Sequence, residues 1–131
     1  MKSLFLTIIL VSSLFSLDFL NDYNEALKEA KKVNKPIYLL ITSTSCRWCV
    51  KFEKTTLKSH QVKNRLAKEF VTLHLVREIN VIPDKFKTTP VPRHYFLNKK
   101  GDIIFNGLGY RNEEIFNSFM DSVQKRNMKN Q

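Results

Sequence analysis

Ile37-Tyr38-Leu39-Leu40-Ile41-Thr42-Ser43-Thr44-Ser45-Cys46-Arg47-Trp48-Cys49 runs from an unbroken apolar segment, through three hydroxyl residues, into a paired-cysteine motif. The run over 37–42 has no polar face, and its shortness is that of a strand buried on both sides. Ser43-Thr44-Ser45 reads as a turn, and a helix is expected from Cys46 to Leu57, with Cys49, Phe52 and Thr56 on one face. Thiol exchange needs a thiolate, a second thiol within reach, and a means of stabilising the first sulfur as an anion. A cysteine at a helix N-terminus meets unpaired backbone N–H groups and the positive end of the helix dipole. Cys46 is therefore expected to ionise more readily than a free thiol, whose pKa is about 8.5. Arg47 adds a fixed positive charge beside it. Cys49, one turn further in, is placed to keep its proton until it resolves a mixed disulfide.

These are the only two cysteines in the chain. A disulfide that closes so short a loop constrains little of the unfolded chain, so stability does not explain the pair. A metal site is the competing reading, with His60, His74 or His94 as a third ligand. No second CxxC and no pair of histidines at zinc-finger spacing accompanies the cysteines, which leaves closed zinc coordination short of ligands. An inert pair is the other alternative. Redox exchange is the reading preferred here, with no metal and no cofactor.

Outward from this stretch, Tyr23, Ala26, Leu27, Ala30 and Val33 repeat at helical spacing over 22–33. Asp22 and Glu25 resemble a capping box at its start, and Pro36 ends the helix. Downstream, Ser59 is a suitable N-cap for a helix that turns Val62, Leu66 and Ala67 inward. Val71–Val76 reads as a second strand, and 77–91 shows no periodicity. Arg93–Leu97 and Asp102–Asn106 flank Asn98-Lys99-Lys100-Gly101 as a hairpin. Asn112–Arg126 closes the chain as a helix with a stripe of Ile115, Phe116, Phe119, Met120 and Val123. The order α β α α β β β α implies an α/β fold: one domain, a mixed sheet, helices on both sides.

The 131 residues are 43% hydrophobic, with 3 Gly and 4 Pro, as in a single globular domain. At the N-terminus, Lys2 precedes an uncharged apolar run from Leu4 to Leu14, followed by Ser16. That is the pattern of a secretory signal peptide over residues 1–16, leaving a domain over 17–131. An uncleaved anchor is the alternative, though the run is short for one. The net charge of +10 comes from 22 Lys and Arg against 12 Asp and Glu. The basic residues are scattered and accompany no nucleic-acid motif, so solvated surface is favoured over a nucleic-acid or membrane footprint.

Cys46-Arg47-Trp48-Cys49-Val50-Lys51-Phe52-Glu53-Lys54, followed by Ser59-His60-Gln61-Val62, resembles the thioredoxin superfamily. It looks most like the C-terminal thioredoxin-like domain of the bacterial electron transporter DsbD and related small exported proteins. The likeness runs from about Asp22 to Val123 and includes Val91-Pro92, Phe96 to Gly101, and Gly109. It implies a thioredoxin fold in which Pro92 is the cis-proline and Val91 presents its backbone to substrate beside Cys46. Pro90 competes for that role, but the family's spacing of nine residues, counted back from Gly101, favours Pro92. Proline supplies no N–H, so an incoming extended peptide would pair with the residue before it.

Three features depart from the family pattern. Leu40 stands where a buried Asp is common, Ser45 replaces the usual aromatic residue before the first cysteine, and the segment between Val76 and Val91 is short. Without the Asp, a different proton acceptor is needed for Cys49. Glu53 lies four residues on, on the same helical face, and is the candidate; a surface carboxylate without a role is the plainer reading. Trp48 either meets partner proteins or packs on the fold. Surface or core packing is favoured for all three histidines.

The resemblance implies an exported thiol–disulfide oxidoreductase. Its expected form is a monomeric periplasmic reductase acting on disulfides of exported proteins and recharged by a membrane electron donor. A dithiol oxidase of the same fold is the alternative, as is a metal-binding or adaptor module.

Overall fold

The computed structural model describes residues 17–87 and 90–130; the signal sequence expected over 1–16 lies outside them. Helix α1, Tyr23–Val33, begins where the Asp22 carboxylate accepts the Glu25 N–H at 2.8 Å. It ends at Asn34, whose left-handed backbone (φ 54°) stops the helix before Pro36. Strand β1, Ile37–Thr42, is buried at every residue. Helix α2, Arg47–Lys54, follows the turn, then a 3-10 turn, Thr56–Lys58, and helix α3, His60–Glu69, which Ser59 caps through the Val62 N–H. Strand β2 is Val71–Val76, and a 3-10 turn at Asp84–Phe86 interrupts the long connection to β3, Arg93–Leu97. Strand β4, Ile103–Leu108, and helix α4, Glu113–Lys129, complete the chain.

The strands lie in the order β2-β1-β3-β4. β1 is parallel to β2 and antiparallel to β3, and β3 and β4 form the hairpin. The sheet is mixed, as its element order implied. Leu20 bridges the outer edge of β2, donating to the Thr72 carbonyl at 2.8 Å and accepting from the His74 N–H at 2.9 Å, so that edge does not stand open.

Side chains alternate along β1 into two cores. Ile37, Leu39 and Ile41 meet Ala26 and Ala30 of α1, Leu73 and Leu75 of β2, and Phe86. Tyr38 and Leu40 face the other way, into Phe52 of α2, Val62 and Leu66 of α3, and Phe116, Met120 and Val123 of α4. Phe116 is the hub of that second core; its ring lies 5.2 Å from Tyr38, 5.3 Å from Phe52 and 5.7 Å from His94 between centroids.

Several expected boundaries are corrected. The helix expected from Cys46 to Leu57 stops at Lys54, where Thr55 departs from helical dihedrals (φ −116°, ψ −79°) and the chain tightens into the 3-10 turn Thr56–Lys58. Thr56 is buried as expected, but its hydroxyl reaches across to the Arg111 carbonyl at 2.6 Å instead of continuing a helical face. β4 runs two residues past Asn106, and α4 extends to Lys129. Ile115, placed in the apolar stripe of α4, is 42% exposed, since the stripe that packs is Phe116, Met120 and Val123. Phe86 is fully buried although nothing in the periodicity of 77–91 marks it.

Phe116→Ala should remove about 3–5 kcal/mol of stability, the usual cost of emptying an aromatic site in a core. Urea unfolding should show a lower midpoint with an unchanged slope.

Candidate active site at the Cys46–Cys49 pair

The turn that follows β1 carries the chain directly to Cys46, which serves as N-cap of α2. Its Sγ accepts the Cys49 backbone N–H at 3.1 Å, the contact a hydroxyl makes at an ordinary cap. The two sulfurs are joined in a disulfide, with Cα atoms 5.2 Å apart. Cys46 is partly exposed while Cys49 is 1% exposed. One sulfur is therefore open to attack or to attacking, and the other is shielded. The first turn of α2 holds no acidic residue to oppose a thiolate.

The turn itself is pinned. The Glu78 carboxylate accepts the Thr44 N–H at 3.0 Å, and the Arg77 N–H donates to the Thr42 carbonyl at 3.0 Å. Residues 76–80 fold on themselves through Asn80, whose side chain accepts the Val76 N–H at 2.8 Å. This lifts Ile79 and Val81, 72% and 87% exposed, from the segment tied to the cysteine turn.

The Val91–Pro92 peptide is cis. Arg93 pairs with Ile41 on one side and Leu108 on the other, so Pro92 stands level with Thr42 at the end of β1 from which the turn departs. The Pro92 carbonyl accepts the Gly109 N–H at 2.8 Å, and the Gly109 carbonyl accepts from His94 Nε2 at 2.9 Å. Gly109 makes both bonds at φ +86°, a conformation that favours glycine.

Because a carbonyl only accepts, the His94 proton is on Nε2. Nδ1 then receives the Tyr38 hydroxyl proton at 2.7 Å. Burial lowers the pKa of His94 to about 4, an effect that the nearby Arg111 and Arg93 charges reinforce and the bond to Gly109 opposes. Burial, and then the charge of Glu53, raise that of Tyr38 well above the ordinary phenol value. The pair is thus a neutral link across β1, β3 and the end of β4, and His94 is a core residue.

Leu40 lies directly between His74 and His94 in register. The place of the family's buried carboxylate is thus apolar and flanked by two imidazoles. His74 Nε2 meets the Thr42 hydroxyl at 2.8 Å, and its Nδ1 is 3.9 Å from Glu53 Oε1. Burial lowers the pKa of His74, with the Glu53 charge acting against that. Glu53 therefore turns from α2 toward β2 and is not a free surface carboxylate.

Trp48 is 47% exposed and still packed. Its ring is 6.2 Å from Tyr110, and Arg47 and Lys51 lie over it at 5.3 and 5.2 Å. The structure thus gathers Cys46, Cys49, Arg47 and Trp48 at one helix tip, sets Pro92 at the same sheet end, and directs Glu53 to His74. His60 opens α3 and is exposed. Tyr110, Glu78, Ile79 and Val81 were not legible as site residues; only the position of Tyr110 beside Gly109 could have marked it. Among the described residues, no group of three or more His, Cys, Asp or Glu side chains is placed to hold a metal.

A family model described as thioredoxin-like matches residues 18–99. Spermatogenesis-associated protein 20 from Homo sapiens is 32% identical over 65 residues, 50% of this chain and 8% of its own. The Rattus norvegicus protein of that name is 34% identical over the same length and shares. The chain spans less than a tenth of the length of these curated relatives. Among solved structures, a DsbH oxidoreductase superposes with a TM-score of 0.68 at 23% identity, covering 84% of this chain and 85% of that one. A thioredoxin from Thermus thermophilus gives 0.67 at 18%, covering 83% and 86%. A putative disulphide-isomerase from Bacteroides thetaiotaomicron gives 0.68 at 21%, covering 85% and 93%. At these identities the likeness establishes the fold.

The buried imidazole makes acid sensitivity predictable in sign. The His94 pKa falls from 6.5 in the unfolded chain to about 4 in the folded one. Its contribution is complete above pH 6.5 and is lost as pH falls toward 4, where the unfolded chain alone takes the proton. The loss should total about 3 kcal/mol by pH 4. Urea midpoints measured across this range should fall less steeply for His94→Gln than for the unaltered chain.

Proposed function

Since this chain belongs to the thioredoxin-like family, we propose that it is an exported thiol–disulfide oxidoreductase that reduces disulfides of other exported proteins through Cys46 and Cys49. The observation that carries this reading is the asymmetric pair itself. A half-open sulfur capped by a backbone N–H is joined to a shielded one a single turn away.

The Cys46 thiolate attacks one sulfur of a substrate disulfide, forming a mixed disulfide and expelling the other substrate sulfur as a thiolate, which takes up a proton. Cys49 then loses its proton, attacks Cys46 Sγ and closes the Cys46–Cys49 disulfide. The second substrate sulfur leaves and is protonated. The substrate gains two electrons and the protein loses them. Arg47 and the open end of α2 favour the first thiolate. Glu53 is the proposed acceptor of the Cys49 proton, a part supported by its helical spacing and its approach to His74. Val91, ahead of the cis bond, offers its backbone to an extended substrate, and Trp48 an apolar contact.

An oxidising exterior leaves such a protein as a disulfide unless a donor restores the dithiol. The reading therefore includes a membrane electron donor, in keeping with the sequence likeness to the C-terminal domain of DsbD. Export rests on the residues of 1–16 and points to the periplasm.

Cys49→Ala should accumulate mixed disulfides with its substrates, separable on non-reducing gels, and Cys46→Ala should accumulate none. Failure of the reduced chain to reduce an insulin-type disulfide would remove the enzyme reading. A reduction potential near the roughly −270 mV of thioredoxin is expected; one near about −120 mV would make the protein an oxidant instead. Glu53→Gln should slow resolution of the mixed disulfide more than its formation, with the difference narrowing as pH rises toward the thiol pKa.

A further inference from the structure

The cations beside Cys46 are built into a cluster. Lys51 Nζ lies 4.6 Å from the Tyr110 ring and 5.2 Å from Trp48, and Arg47 Cζ lies 5.3 Å from Trp48. Both aromatic faces are thus engaged by the chain's own positive charges, which leaves little for a partner's cation to gain there. Among the described residues, no carboxylate forms an ion pair with Arg47 or Lys51. The acid on the same helix, Glu53, turns to His74. Glu113 and Glu114, which follow Tyr110 in the chain, line the cleft between α3 and α4 with Gln61 and Asn117. Two unneutralised cations therefore hold a half-exposed indole next to the reactive sulfur.

We propose that this surface selects acidic disulfide-bearing polypeptides, with carboxylates flanking the substrate cysteine meeting Arg47 and Lys51 while an apolar side chain lies on Trp48. The inference rests on the oxidoreductase reading and adds the class of substrate. Exposed charges of opposite sign steer encounter and orient docking, and salt weakens both effects. The electron transfer is unchanged: the substrate disulfide is reduced and Cys46–Cys49 is formed.

Three peptide disulfides, identical except for Asp, Ser or Lys on both sides of the cysteine, would be offered to the reduced full chain. Each rate would be divided by that of the same peptide with dithiothreitol, which removes the intrinsic effect of the flanking charge on the disulfide. The acidic peptide should exceed the basic one by about tenfold or more at low salt, approaching parity in strong salt. The ratio should shrink in Arg47→Gln/Lys51→Gln and invert in Arg47→Glu/Lys51→Glu. The ratio is the informative quantity, because Arg47 also favours the Cys46 thiolate, so its replacement alters all three rates together. Equal normalised rates would overturn the proposal while leaving the oxidoreductase reading intact. Equal rates with co-sedimentation on phosphatidylglycerol vesicles would overturn it in favour of a membrane role for these cations. No exchange with any peptide would overturn both the proposal and the reading beneath it.

Discussion

A strand with no face toward water has to be covered on both sides, and β1 is that strand. Its six residues are all buried, which obliges α1 to pack on one face and α2, α3 and α4 on the other. Hydrophobic burial of this kind is proportional to apolar area and has no direction. The direction comes from the ends of β1. The chain leaves it into a turn whose backbone is tied to β2 through Arg77 and Glu78, and the next residue is Cys46. The reactive sulfur thus stands close to the end of a fully buried strand, held by elements that cover that strand.

Among the described residues, the buried polar side chains of Thr42, Thr56, Thr72 and His94 are each hydrogen-bonded. Tyr38 donates its hydroxyl proton to His94 Nδ1, and the Gly109 carbonyl receives the single N–H of the neutral imidazole. The same glycine holds the carbonyl of Pro92, so the segment beside the active-site turn is fastened to β4 through one residue. Thr42 and His74 form a second pair nearer the surface, with Glu53 approaching from α2. Where the resemblance leads one to expect a buried carboxylate beneath the cysteines, this chain has Leu40, and the acid of α2, Glu53, lies nearer the surface beside His74. A buried ionised carboxylate would face a high desolvation cost between two imidazoles held neutral by burial, and a half-exposed one does not.

The surface follows a related logic. Cations that look dispersed along the chain are not equivalent in space: Arg47 and Lys51 converge on Trp48 because one helical turn separates them, and Tyr110 closes the group from another element. An indole flanked by guanidinium and ammonium groups is both an apolar platform and a positively charged one.

Local chemistry was enough to determine the order of elements, the helix caps at Asp22 and Ser59, the all-buried strand and the cysteine pair at the tip of α2, because each depends on residues within a turn or two. Pro92 was reached by another route, the family resemblance, whose spacing to the hairpin glycine it matches. The meeting of Tyr38 with His94, 56 residues apart, was not legible by either route, nor were the burial of Phe86, the approach of Glu53 to His74, or the arrival of Tyr110 at Lys51. Those contacts follow from strand register and helix packing. Periodicity says which face of an element is apolar; only the assembled sheet and helices decide which residue of a distant element that face will touch.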